Sequence, residues 1–297
     1  MSSATADVDV PVERSVDRAV GRRRRRFRPL MHLGLIGFGF VMLYPLVWML
    51  SSSFKPTDEI FRDPGLWPTN FTTENYPEGW DALTSPFYRY IYNSTIIVAL
   101  SIVGNLLACS LAAYAFARLN FTLKRFWFAV MLGTIMLPIH VVIVPQYILF
   151  RQFDWINTIW PLVVPKFLAT DGFFVFLMVQ FIRGLPRDLD DAARIDGCGH
   201  WGIFWRIIIP LSMPALATTA IFTFIWTWND FFSQLIFLTD PNKYTVPVAL
   251  RAFVDSTTRT SWGPVFAMSM VTLAPVFGFF LAGQRYLVRG IATTGLK

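Results

Sequence analysis

Several polar and ionisable residues of this 297-residue chain lie inside long apolar stretches, where hydrocarbon would reject them. Such groups usually face protein or a water-filled path. Asn and Asp side chains can hydrogen-bond to hydroxyl groups, and aromatic faces suit the apolar side of a sugar ring. The pattern predicts a solute path through the apolar region, and its candidate residues are His140, Lys166, Asp171, Trp226, Trp228, Asn229 and Asp230.

These residues also have simpler interpretations as parts of the scaffold. Lys166 and Asp171 are near enough in sequence to pair with each other, which would make them structural. Asn229 and Asp230 are suited to holding helices together through interhelical hydrogen bonds. The sequence leaves both interpretations open beside the role in a path.

A second polar group forms a charged insert, residues 184–214, between two apolar runs. Asp188, Asp190 and Asp191 crowd the first turn of a predicted helix, where carboxylates meet free N–H groups and the positive end of the dipole. Gly197 and Gly199 end this helix, since glycine adopts the left-handed conformation cheaply. One face of a second, amphipathic helix then carries Ile203, Phe204, Ile207 and Ile208. This arrangement predicts a docking element at a membrane surface, although an ordinary amphipathic loop would show a similar pattern.

The sequence lacks the motifs of the common enzyme and metal sites. It contains no GxxxxGK[ST], HExxH or GxSxG motif and no Cys/His cluster with metal spacing. Gly197, Gly199 and Gly202 match the dinucleotide fingerprint as a string, but an acidic helix precedes them instead of a strand. We therefore predict that the chain is not an enzyme and binds no metal and no cofactor of its own.

The composition and the apolar runs predict an all-α polytopic membrane protein. The chain is 54% hydrophobic and 15% charged, whereas soluble domains are about 25% charged. Six runs are long enough to cross a hydrocarbon core as helices. They are residues 30–50, 91–116, 126–150, 157–182, 213–238 and 262–286. Pro161 and Pro165, next to Lys166, predict that the fourth run is broken, with a regular inner half from about Gly172.

The distribution of Lys and Arg predicts the orientation in the cell membrane. With the N-terminus inside, eighteen basic residues fall on the cytoplasmic side and seven on the outer side. The chain then divides into a basic cytoplasmic arm (1–28), a transmembrane domain (29–288) that includes the insert, and a cytoplasmic tail (289–297). The arginine run of the arm is typical of a topogenic, lipid-binding anchor. Nucleic-acid binding is not expected, because nothing foldable accompanies that run.

The insert resembles the cytoplasmic coupling signature of ABC importer permeases. The order acid-Ala-Ala, two residues, Asp-Gly, followed by Phe204, Ile207 and Pro210, carries this resemblance. In that family the first residue is usually Glu and the residue after Asp-Gly is usually Ala, whereas here they are Asp191 and Cys198. The shorter acid puts one contact with the partner in doubt.

The resemblance covers the chain from about residue 30 to its end. Met136-Leu-Pro, Trp228-Asn229-Asp230 and the final QRYLVRGIATTGLK are similar to the maltose-type, carbohydrate-importing branch. This implies a complex with a second homologous permease, two ATPase subunits that bind ATP and Mg, and an extracytoplasmic solute-binding protein that delivers a sugar. The insert would sit in a cleft of the ATPase, and the residues of this coupling motif are Asp191, Ala192, Ala193, Asp196, Gly197, Phe204, Ile207 and Pro210.

Three other functions compete with sugar import. The same machine can carry amino acids, peptides or polyamines. An ion-driven secondary transporter would use His140, Lys166, Asp171 and Asp230 as a relay, although such folds often contain internal repeats and no convincing repeat is visible here. A membrane enzyme or receptor would work without a docked ATPase.

Overall fold

The structure is a computed structural model that describes residues 12–255 and 261–294. Within these ranges every regular element is helical. The helices are α1 (Val12–Ser52), α2 (Asn75–Asp81), α3 (Phe87–Arg118), α4 (Lys124–Ile135), α5 (Ile139–Gln152), α6 (Trp160–Phe167), α7 (Gly172–Gly184), α8 (Asp188–Ile195), α9 (His200–Ile203), α10 (Ile209–Leu211), α11 (Met213–Trp228), α12 (Phe232–Phe237), α13 (Val246–Asp255) and α14 (Trp262–Thr294). The predicted arm is therefore helical from Val12 onwards, while residues 1–11 and 295–297 lie outside the described part.

Among the described residues, four helical stretches are long and apolar enough to cross a membrane: Met31–Ser52, Phe87–Arg118, Trp160–Gly184 and Trp262–Gln284. Two bent helix pairs also qualify when each is counted as one span. They are α4 with α5, bent by 102°, and His200–Leu211 with α11, bent by 74°. Counted this way, the six spans of the predicted all-α fold are present, although the second pair recruits residues that the sequence places in the insert.

The third span is bent where the sequence predicts a continuous helix over 126–150. The turn lies at Met136, Leu137 and Pro138, and α5 begins directly after the proline. Proline has no N–H to donate, and it disfavours helical backbone at the residue before it. The proline therefore ends one helix and starts another in a new direction.

The fourth span is broken as predicted, and its regular second half begins at Gly172. The first half is a short helix, α6, and Ala169 in the break has a positive φ of 53°. Helix α4 approaches the break closely, because a Cβ on Gly172 would lie 3.1 Å from the Met131 carbonyl oxygen. Small residues at such crossings let backbones approach.

Helix α3 is the central element of the bundle, and it packs against α6, α7 and α11. Near its C-terminal end its buried residues Cys109, Ala113 and Ala117 pack with α7 and with the insert. Near its N-terminal end Phe87 and Tyr90 pack with α11, α13 and α14. Gly104 marks the closest approach, since a Cβ there would lie 2.8 Å from Cδ2 of Phe167 on α6.

The helix and the glycine turn of the insert form as the sequence predicts, with α8 ending before Gly197, whose φ is +82°. No carboxylate caps the first turn of α8, and Asp190 lies next to Arg118 instead. The second helix contains an unpredicted π-helical turn over Phe204–Ile208 between α9 and α10. There the Ile209 N–H donates to the Phe204 carbonyl, five residues earlier. Pro210 accounts for this, because its ring would clash with a carbonyl four residues back and a wider turn relieves the clash.

Candidate functional site

A polar cluster lies inside the bundle where α6 and α7 meet α3 and α11. Lys166 Nζ is 2.9 Å from Asp171 Oδ2, so the pairing that the sequence allowed is present. Asn105 of α3 donates from Nδ2 to Asp171 Oδ2 at 2.7 Å and contacts Thr223 Oγ1 of α11 at 3.1 Å. Asn105 is fully buried, while the charged pair remains about a quarter exposed. The Asn105 amide thus holds the Asp171 carboxylate from the buried side of the ion pair.

Sequence analysis overlooks Asn105. The available signal was an amide in the middle of the second apolar run, directly after Gly104. Amide side chains inside membrane helices usually find a partner on a neighbouring helix. The partner here is 66 residues away in sequence, so the contact itself was not predictable.

Two cavities open next to the polar cluster. The larger has a volume of about 740 Å³ and is lined by Lys166, Asp171 and Asp230, together with aromatic side chains such as Trp127. The smaller, of about 540 Å³, is lined by Lys166, Trp226, Asn229 and Asp230. Five of the seven predicted path residues therefore line cavity walls, and Lys166 and Asp230 belong to both cavities.

The other two predicted path residues, Trp228 and His140, line neither cavity. Trp228 is 4% exposed and stacks on Phe224 in the core, with ring centroids 5.5 Å apart. His140 is exposed at the start of α5, and its ring lies 4.9 Å from that of Phe232. Phe232 lines the smaller cavity, so His140 reaches that cavity only through a neighbour.

Asn229 and Asp230 occupy the break between α11 and α12. Asn229 Nδ2 donates to the Ile225 carbonyl at 2.8 Å, and Asp230 Oδ1 accepts the Ser233 N–H at 3.0 Å. Both hydrogen bonds join residues at most four positions apart in sequence. Both side chains still line the smaller cavity. The side chain that joins segments here is the buried Gln234, which donates to the Thr227 carbonyl and accepts from Thr245 at the start of α13.

Helix α8 of the insert has one buried and one exposed face. It buries Asp190 and Ala193, and it exposes Asp191, Ala192 and Ile195. The exposed fraction of Ile195 is 87%, among the highest of the large apolar side chains that the structure describes. The predicted coupling residues Asp196, Gly197 and Pro210 are exposed too.

The second helix of the insert is anchored in the bundle. Phe204 is 1% exposed, and its ring centroid lies 5.3 Å from that of Tyr114 on α3. Ile207 is half-buried against the same apolar cluster. The predicted coupling residues thus divide into an exposed face on and after α8 and buried side chains, such as Ala193 and Phe204, that fasten the insert to the spans.

Arg118 is another residue that sequence analysis overlooks, since there it counts only as a topogenic charge. Its Nε lies 3.1 Å from Asp190 Oδ2, and both side chains are less than a tenth exposed. Its Nη2 also donates to the Leu185 carbonyl at 2.9 Å. A basic residue at a helix end is usually solvated, so its burial carried no sequence signal.

Comparisons with known proteins agree with this architecture. The family model described as "Binding-protein-dependent transport system inner membrane component" matches residues 104–293. Among curated relatives, the probable ABC transporter permease protein YurM of Bacillus subtilis is 36% identical over 86% of this chain and 83% of its own length. The trehalose/maltose transport system permease protein MalG of Thermococcus litoralis is 33% identical over 91% and 97%.

A solved structure shares the fold. A chain of a bacterial ABC transporter involved in the import of the acidic polysaccharide alginate superposes with a TM-score of 0.77, covering 89% of this chain and 98% of that one at 22% identity. The matched family region begins one residue before Asn105 and includes the polar cluster and the whole insert. The chain belongs to the family of inner membrane components of binding-protein-dependent transport systems and is a multi-pass permease.

Proposed function

We propose that this chain is one permease subunit of an ATP-driven importer of oligosaccharides. Curated relatives support the cargo: one is named for diacetylchitobiose uptake, in Streptomyces coelicolor, and another for arabinooligosaccharide transport, in Halalkalibacterium halodurans. A solved relative of the same fold is described in complex with an alginate pentasaccharide-bound periplasmic protein. A solute-binding protein on the outer side would deliver the sugar in the same way here.

The exposed face of α8 is the observation that carries the coupling part of the proposal. It presents Asp191, Ala192 and Ile195 outwards between the fourth and fifth spans. Ala192 and Ile195 offer a protein partner apolar surface to bury, next to the charge of Asp191. We assign this face to a separate ATPase subunit, which would bind ATP and Mg and would push on α8 when its nucleotide site closes.

The two cavities supply the chain's share of the path. Asp230, Asn229 and the Lys166–Asp171 pair offer donors and acceptors for sugar hydroxyls. Trp226 is 48% exposed at the smaller cavity and offers an aromatic face. A second, homologous permease would close the open side of these cavities and complete the path.

The distribution of basic residues and the position of the insert support the proposed orientation. Both termini and α8 would lie on the cytoplasmic side, where the ATPase and its nucleotide are. Cys198, half-buried next to Gly197, provides a reporter for this assignment. A membrane-impermeant thiol reagent added outside sealed cells is expected to leave Cys198 unlabelled, and labelling there would place the insert on the wrong side.

The decisive experiment is purification of the complex from native membranes with identification of its subunits. We expect two ATPase subunits, a second permease and a solute-binding protein that binds oligosaccharides in a ligand screen. A complex without ATPase would refute the proposal. Uptake that survives ATP depletion but collapses with an uncoupler would favour the ion-driven alternative.

A further inference from the structure

The junction between the insert and the spans is built around a single guanidinium group. Arg118 is the last residue of α3, and its Nε lies 3.1 Å from Asp190 Oδ2 in the first turn of α8. Its Nη2 donates to the carbonyl of Leu185, the residue that follows α7, at 2.9 Å. One side chain therefore connects the ends of two spanning helices to the helix that we assign to the ATPase.

This ion pair differs from the other three in the described part of the chain. The side chains of Arg118 and Asp190 are 3% and 7% exposed, whereas in the other pairs each side chain is at least a quarter exposed. A buried ion pair contributes little net stability, because removing two charges from water offsets their attraction. Breaking it is costly, however, since it leaves one charge buried without a partner. Such a pair fixes relative position more than it adds stability.

The pair is not fully satisfied in this conformation. Asp190 Oδ1 is buried and has no hydrogen-bond partner among the described residues, and the Nε–H of Arg118 does not point along the line to the carboxylate. Arginine and a carboxylate can form two parallel hydrogen bonds when they are aligned. A modest shift of α8 relative to α3 would therefore change the strength of the contact. This is expected of a contact that differs between two conformations of a transporter.

Helix α3 continues from this junction to the polar cluster. Asn105, which binds the Asp171 carboxylate, lies on the same helix as Arg118 at a distance of about 20 Å along its axis. Tyr114, one turn before Arg118, contacts Phe204 of the second insert helix. Both helices of the insert are thus attached to the last turns of α3, and the middle of α3 holds the cavity wall.

We infer that Arg118 and Asp190 are positioning residues that transmit movement of α8 to α3 and α7, and through α3 to the Lys166–Asp171 pair. The inference rests on the proposed function, because it requires an ATPase that acts on α8. Neither side chain touches solute or nucleotide. Their task is to keep α8 from moving independently of the spans, so that each closure of the ATPase displaces the helices that line the cavities.

The test compares uptake with ATP hydrolysis in the complete importer, reconstituted in liposomes with its partner subunits and its binding protein. Asp190→Asn keeps the shape of the side chain and removes the charge. We expect the amount of solute imported per ATP hydrolysed to fall at least tenfold, because breaking a buried charge pair costs more than the about 1.4 kcal/mol that corresponds to a tenfold change. A second variant, Arg118→Gln with Asp190→Asn, leaves no charge buried alone and is expected to fold while remaining poorly coupled.

The matched control is the exposed pair Arg62 and Asp58 on the outer loop, whose side chains are 80% and 71% exposed. Arg62→Gln with Asp58→Asn makes the same chemical change, and its import per ATP is expected to equal that of the unmodified complex. The inference is wrong if the Arg118→Gln, Asp190→Asn double variant imports as much per ATP as the control. It is also wrong if uptake and hydrolysis fall in proportion, which indicates a merely structural role. An absence of ATPase from the unmodified complex would instead refute the proposed function.

Discussion

Replacing Gly197 with alanine would perturb the backbone turn of the insert and little else. Its φ of +82° is in the left-handed region, and a Cβ placed there would meet no heavy atom within 4 Å. The whole penalty is therefore conformational, about 1–2 kcal/mol for a residue other than glycine. That shifts the equilibrium between the native turn and a displaced α8 by about 5- to 30-fold. We expect ATP-driven uptake to fall in a measurable but incomplete way.

Gly199 provides the matched control for this substitution. It also has open space around it, but its φ is −75° and its backbone is extended. Gly199→Ala is therefore expected to leave uptake by the reconstituted importer unchanged. Gly197→Trp carries the same backbone penalty and adds a bulky ring at the surface that we assign to the ATPase. It is expected to abolish uptake and to weaken co-purification of the ATPase, while the protein still inserts into the membrane.

Two results would refute this reasoning. If Gly197→Ala and Gly199→Ala reduce uptake equally, the left-handed turn is not the feature that matters. If Gly197→Trp supports normal uptake, the turn does not lie at the interface with the ATPase. Membrane insertion of each variant, measured by the amount of folded protein recovered, separates these outcomes from a failure to fold.

Three further predictions address the helix bundle, the cavities next to Lys166 and the loop between α1 and α2. Gly104→Ala is expected to lower thermal stability in detergent, at a cost of about 1–3 kcal/mol from overpacking against Phe167. Gly133→Ala, at a position with open space around it, is expected to leave thermal stability unreduced. Equal melting temperatures for the two variants would contradict the close crossing of α3 and α6. Lys166→Gln is expected to reduce uptake about tenfold without loss of ATPase association, because hydrogen bonds to charged groups contribute about 1.5–3 kcal/mol. Unchanged uptake would show that Lys166 does not contribute to the solute path. In the loop between α1 and α2, hydrogen bonds from Thr69 and then from the Gly65 N–H lower the pKa of Asp63. The ionised carboxylate therefore stabilises the loop fully above its ordinary pKa, and that contribution is lost as the pH falls through the lowered pKa. Thr69→Val is expected to raise the pKa of Asp63 in a carboxyl NMR titration, and an unchanged pKa would contradict the contact.

Local rules predicted much of the fold because they depend on neighbours in sequence. The acidic first turn of α8, the stop at Gly197 and the start of α7 at Gly172 all lie where the sequence predicts them, although no side-chain hydrogen bond caps the start of either helix. The bend at Pro138 was equally local, and it was missed because a long apolar run suggested one straight span. The π-helical turn before Pro210 was missed for a related reason, since proline can also be accommodated by widening a helix.

The geometry of helix α11 alone separates its two tryptophans. Trp226 and Trp228 are two residues apart. On a helix, that spacing rotates the side chain by about 200° around the axis, so the two side chains point to nearly opposite sides. They cannot both face one cavity while the helix is regular, and the structure places Trp226 at the cavity and Trp228 in the core. The prediction that both belong to the path therefore conflicted with the helix that carried them.

Long-range contacts are what sequence alone did not supply, and they determine how the two predicted sites are related. In the sequence Asp190 belongs to the acidic start of the insert and Asp171 to a broken span, and nothing there relates the two residues to each other. Asp190 meets the end of α3 through Arg118, and Asp171 meets its middle through Asn105. A single helix thus holds a carboxylate of the coupling element and a carboxylate of the cavity wall. Because a packed helix moves as a rigid rod over this distance, displacement at one carboxylate reaches the other without any further contact between the two sites.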